Sequence, residues 1–136
     1  IGGVLADRFG PKVISLISLA GIVASAYVVG QQPPEGVLTG VVFLLMAAAM
    51  GLGMGAVFAW VGPSTPPDKV GAVTGVVAAA GGLGGYFPPL VMGATYNATT
   101  NSYALGLWLL VLVGAGALVV GGMLRDARPK KAAPTK

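Results

Sequence analysis

The chain has 136 residues, 55% of them hydrophobic and only 9% charged, with a mean hydropathy of +0.85. Soluble domains carry about 25% charged residues, so a soluble globular domain is excluded and a membrane protein is indicated. It has neither Cys nor His, which excludes a disulfide framework and thiolate or imidazole metal sites.

The chain opens on Ile1 in mid-pattern, with no initiator Met and no secretory-signal layout. It therefore reads as the C-terminal piece of a longer protein. Residues 1–12 read as a short polar loop following the end of a truncated helix. Residues 13–30 contain no charge; at roughly 1.5 Å per residue they reach ~27 Å, close to the ~30 Å of a bilayer core. Residues 31–36, with Pro33, Pro34 and Glu35, form a turn. A second apolar run covers 37–60 and is rich in small residues at Ala47, Ala48, Ala49, Gly51, Gly53 and Gly55. A loop follows over 61–69, with Asp68 placed to cap the next helix. The third run is 70–95, a neutral polar turn covers 96–102, and the fourth run is 103–124. Residues 125–136 are a basic tail containing Pro and Ala, expected to be disordered.

Four spans joined by short loops alternate across a membrane. Arg8, Lys12, Lys69, Arg125, Arg128, Lys130, Lys131 and Lys136 then share one side, and the opposite loops hold only Glu35. The positive-inside rule assigns the basic side, and with it the C-terminus, to the cytoplasm. The net charge of +4 is thus a topology signal, and nucleic acid is not an expected partner. Trp60, Tyr96 and Tyr103 fall at expected span ends, where amphipathic rings favour the interface.

The third run is the most unusual. Gly71 and Gly75, then Gly81 and Gly85, recur at a spacing that stacks them on one helix face, and Gly82 and Gly84 widen the strip. Each glycine inside a helix in water costs about 1 kcal/mol relative to alanine. In a membrane the helix is retained, and small residues admit close neighbours. Two readings stay open. The strip is a helix–helix packing seam, or it lines a substrate path closed by Tyr86, Phe87, Pro88 and Pro89.

Catalytic chemistry is not expected. Asp7, Glu35, Asp68 and Asp126 lie in loops or the tail, and Ser15, Ser18, Ser25, Thr39 and Thr74 have no activating group near in sequence. The runs Gly51-Leu52-Gly53-Met54-Gly55 and Gly81-Gly82-Leu83-Gly84-Gly85 lack the preceding strand and following Lys-Ser/Thr of phosphate loops. Asn97-Ala98-Thr99 fits a glycosylation sequon, but its loop is short and membrane-adjacent. No cofactor and no metal is expected.

The segment Gly3-Val4-Leu5-Ala6-Asp7-Arg8-Phe9-Gly10-Pro11-Lys12 resembles the loop signature of the major facilitator superfamily, G-x-x-x-D-R-x-G followed by basic residues. Pro11 departs from that pattern and Lys12 keeps it. Gly10 permits a tight turn, Asp7 can accept from amides at a helix end, and Arg8 holds the loop on its side. The signature occurs in both halves of these porters. A chain ending in a basic tail suits the second, which makes the spans helices 9 to 12 and the glycine-rich run helix 11.

Ala80-Gly81-Gly82-Leu83-Gly84-Gly85-Tyr86 further resembles the glycine-rich signature of the nitrate/nitrite porters, with Gly82 standing where the related helix 5 pattern has Asn. The resemblance implies an all-α, polytopic transmembrane bundle, the last four helices of a twelve-helix porter. It would move nitrate or nitrite across the cytoplasmic membrane by alternating access. Gly81, Gly82, Gly84, Gly85 and Tyr86 would border the substrate path, with Phe87 shaping it. The anion-holding arginines of helices 2 and 8 would lie in the missing N-terminal helices, which with the bilayer are the implied partners. Two alternatives are a superfamily porter for another small solute or drug, and a four-helix membrane subunit that transports nothing. The topology is testable: single cysteines at Ser64 and Asn97 should react from opposite faces of intact cells, and labelling of both from outside would overturn the four-span arrangement.

Overall fold

Hydrocarbon offers no partner to a peptide N–H or C=O, so a chain this apolar closes its own hydrogen bonds within helices. The computed structural model describes residues 2–100 and 102–124 and contains α1 (Gly2–Phe9), α2 (Pro11–Gly30), α3 (Val37–Ser64), α4 (Val70–Thr95) and α5 (Ala104–Met123). The four helices α2 to α5 are each long and apolar enough to cross a membrane. The protein is an integral membrane protein with an all-α fold. Among the described residues the only strand-like pairing is an isolated bridge between Asn97 and Ser102. The basic tail, 125–136, lies outside the described residues.

Three local expectations are corrected. Residues 1–12 are not a loop, because Gly2–Phe9 is helical and only Gly10 separates α1 from α2. The cause is packing: Ala6, fully buried, joins Ile14 and Ala56 in one apolar cluster. The second span runs to Ser64 with Pro63 inside it. Pro63 deprives a single carbonyl of its donor, near the helix end, where that loss is tolerated. Asp68 does not cap α4. The Lys69 N–H bonds the Pro66 carbonyl at 2.9 Å and closes a turn around Asp68, so Lys69 is the N-cap residue.

Close backbone approach organises the bundle. A Cβ on Gly2 would stand 2.6 Å from the Leu52 carbonyl oxygen, and one on Gly55 would stand 2.7 Å from the Gly3 nitrogen. Gly53 leaves room for the Ser18 hydroxyl, which donates to the Ala49 carbonyl at 2.6 Å in a buried setting. Opposite α3, α2 packs on α5. Tyr27 and Trp108 meet edge to face with centroids 5.5 Å apart, and Gly121 lies against Leu16 and Leu19. No residue of α4 is buried. It touches α5 where Met92 and Thr95 crowd Gly106.

Two long-range bonds fix the ends of the bundle. Lys12 Nζ donates to the Gly122 carbonyl at 2.9 Å, joining the start of α2 to the last turn of α5. At the other end Ser102 Oγ donates to Gln32 Oε1 at 3.0 Å. Arg8, Lys12 and Lys69 therefore gather at one end, and Glu35 sits at the other. The packing predicts a graded response in thermal unfolding of the complete protein in detergent. Ser18→Ala should cost about 0.6 kcal/mol, the usual worth of a helix–helix hydrogen bond in membranes. Gly55→Val, which forces α1 from α3, should cost about 1–3 kcal/mol or more. A wild-type unfolding temperature for Gly55→Val would rule out this contact.

Candidate functional site

In the loop signature, conformation and charge are used separately. Gly10 has φ 96° and ψ 135°, a backbone region essentially reserved for glycine, and Pro11 follows at the start of α2. Together they turn the chain from α1 into α2 with no intervening loop. Gly3 lies beside Gly55 on α3. Lys12 supplies a donor and a positive charge to the C-terminal carbonyls of α5, where both are favourable. Arg8 and Asp7 are exposed. The Arg8 guanidinium lies 5.5 Å from the centroid of the Phe9 ring. Asp7 has no hydrogen-bond or ion-pair partner among the described residues, and no side chain caps α2.

The glycine strip is open. A Cβ at Gly71, Gly75, Gly81, Gly82, Gly84 or Gly85 would meet nothing within 4 Å. Tyr86 and Phe87 are 63% and 61% exposed. The strip is therefore not a packing seam within this chain, whose close glycine contacts lie on other helices. The helix does not stop at Pro88 and Pro89 but continues to Thr95. Proline has no N–H, so the carbonyls of Gly84 and Gly85 lose the donors that a helix would place one turn on. The strip thus presents hydrogen-bond acceptors without side-chain cover. Its glycines carry no donor side chain, so by themselves they cannot hold an anion.

A cavity lies elsewhere, and no sequence pattern singled it out. It has a volume of about 640 Å³ and lies between α2, α3, α4 and α5, bordered by Ser15, Trp60, Val61, Val73, Val120 and Leu124. A smaller space of about 270 Å³ continues it between α2 and α3. Of α4 only Val73 reaches the larger cavity, well before the glycine strip. The available signal was the one-turn spacing of Ala117 and Gly121, small residues that leave the space open on the α5 side.

The sequence profile of the Major Facilitator Superfamily matches residues 1–136. The chain belongs to the major facilitator superfamily. Within this superfamily the chain is similar to the "Probable nitrate/nitrite transporter NarK2" of Mycobacterium tuberculosis, at 53% identity over 111 residues, 82% of this chain and 28% of that protein. It is 36% identical to the "Nitrite extrusion protein" of Bacillus subtilis over 119 residues, 88% of this chain and 29% of that protein. With the "Probable nitrate transporter NarT" of Staphylococcus haemolyticus it shares 35% identity over 125 residues, 91% of this chain and 31% of that protein. The chain thus spans under a third of the length of these relatives. No solved structure gives a significant match.

The backbone at Gly10 gives the superfamily loop a specific test. Gly10→Ala should destabilise the complete protein by about 1–2 kcal/mol. Gly10→Asn should be no milder, because the observed ψ lies outside the left-handed helical region that asparagine tolerates. Rescue by Asn in thermal unfolding would mean that Gly10 adopts a different conformation.

Proposed function

We propose that this chain forms helices 9 to 12 of a twelve-helix porter that carries nitrate or nitrite across the cytoplasmic membrane by alternating access. On this reading α1 is the end of helix 8, α4 is helix 11, and the end bearing Arg8, Lys12 and Lys69 faces the cytoplasm. The observation that carries the substrate is the kinship with nitrate and nitrite transporters, up to 53% identity across 82% of this chain. The open face of α4 supports a role at the path, because its glycines are left uncovered by the other described helices.

An anion needs donors, and the strip offers acceptors. Its part is therefore indirect: Gly81, Gly82, Gly84 and Gly85 let the partner half of the porter approach the backbone closely. The carbonyls of Gly84 and Gly85 accept from the guanidinium groups that hold the anion. Tyr86 and Phe87 border the same face. Asp7, exposed and unpaired here among the described residues, accepts from a helix end in the remaining helices.

Gly82 tests this division of labour. A Cβ there meets nothing within 4 Å, so neither Gly82→Asn nor Gly82→Leu disturbs the packing of this chain. In the complete porter Gly82→Asn should insert normally and keep measurable nitrate uptake, since an amide at this position can face the path. Gly82→Leu should insert but abolish uptake by adding bulk where the halves meet. The measurement is nitrate uptake normalised to inserted protein. Equal loss for both variants, with degradation of the Asn protein, would make the strip a buried seam, where an unpartnered amide costs about 1–3 kcal/mol. Absence of nitrate and nitrite uptake by the unmodified porter would overturn the substrate assignment.

A further inference from the structure

The two cavities beside α2 are one trough, since Ser15, Leu19 and Val57 line both. It begins at the basic end of the bundle, between Thr65 and Leu124, and continues along α2 as far as Ile22. From Lys12 at the rim to Ile22 is about ten residues of helix, or ~15 Å, half of the ~30 Å hydrocarbon core. The trough is one leaflet deep.

Its walls suit hydrocarbon rather than water. They are apolar apart from a few hydroxyls, of which Ser18 is already bonded to the Ala49 carbonyl. Ser15 Oγ is buried with no partner. Stable water sites need two to four polar partners, and one orphan hydroxyl does not supply them. The rim, in contrast, is charged. Lys12 Nζ holds the Gly122 carbonyl at 2.9 Å, next to Gly121 of the lining. An ammonium has three donors, so two stay free for another acceptor. Lys69 lies one turn before the lining residue Val73, but Asp68 beside it offsets its charge. Partial charges from the starts of α2 and α4 oppose those from the ends of α3 and α5 at the same rim. Arg8 at the same end has Asp7 beside it, as Lys69 has Asp68, which leaves Lys12 as the deciding charge among the described residues.

We propose that this trough binds an anionic phospholipid from the leaflet on the basic side, with one acyl chain between α2, α3 and α5 and the phosphate on the free donors of Lys12. The site is independent of what the porter carries.

Trp60 lines the trough and reports on it directly. The complete porter is reconstituted in vesicles containing phosphatidylglycerol or phosphatidylcholine with brominated acyl chains, and the Trp60 emission is isolated by subtracting a Trp60→Phe variant. Phosphatidylglycerol should quench at about fivefold lower mole fraction than phosphatidylcholine, the preference expected from one lysine at the surface. Lys12→Gln should remove that preference and keep quenching. Ala117→Phe, which fills the trough, should weaken quenching by both lipids. Equal quenching by the two lipids in the unmodified protein would overturn the proposal and leave an ordinary lipid contact. No quenching by either would also overturn it, because the trough would then be covered by other helices of the porter. A preference that survives Lys12→Gln in an inserted protein would overturn the anchoring role of Lys12.

Discussion

Helices in a bilayer gain nothing from hiding apolar surface from one another, because lipid tails are as apolar as leucine. Their association rests on close packing and on hydrogen bonds. In this chain both occur where α1, α2 and α3 meet. Gly2 and Gly55 bring the backbones of α1 and α3 together, and Gly53 admits the Ser18 hydroxyl, which bonds the α3 backbone at Ala49. The other helices are arranged around that point. Against the far side of α2 lies α5, held at one end by Lys12 and at the other through Ser102 and Gln32. Only then is α4 attached, at the edge of α5.

The four membrane-crossing helices were legible because each is a charge-free run of bilayer length, and charge is the costliest thing to place there. The short helix α1 was not legible. Its residues become helical against Ala56 and Ile14, and nothing in a glycine-led, partly charged segment announces such packing. Glycine misled in a particular way. Its density is highest on α4, where nothing in this chain comes near the strip, and the tight contacts use glycines of other helices, Gly53 and Gly55 of α3 among them. Two residues apart on a helix is ~200° around its axis, so these two glycines serve different neighbours, α2 and α1. Spacing along the chain shows which residues share a face but not what that face meets. The partner of Lys12 was equally hidden, being a backbone carbonyl 110 positions away.

The loop signature and the glycine strip also differ in how far this chain explains them. Gly10 and Lys12 have complete structural roles here, one in the turn from α1 and one at the end of α5. Asp7 and the strip have none among the described residues, and both present unused hydrogen-bonding capacity. A chain that covers under a third of its relatives' length leaves such groups without a counterpart among the described residues. The pattern separates α4 into three regions. Its start, at Val73, lines the trough, its end, at Met92 and Thr95, packs on Gly106 of α5, and the glycine strip between them meets nothing within 4 Å.

The proline pair also has a mechanical effect. Pro88 and Pro89 remove two neighbouring rungs from the α4 hydrogen-bond ladder, and the glycines just before them leave that turn without side-chain bracing. Bending stiffness is lowest there. The joint lies between the Val73 end of α4, which lines the trough, and its Met92 and Thr95 end, which packs on Gly106 of α5, so the two ends can tilt relative to one another.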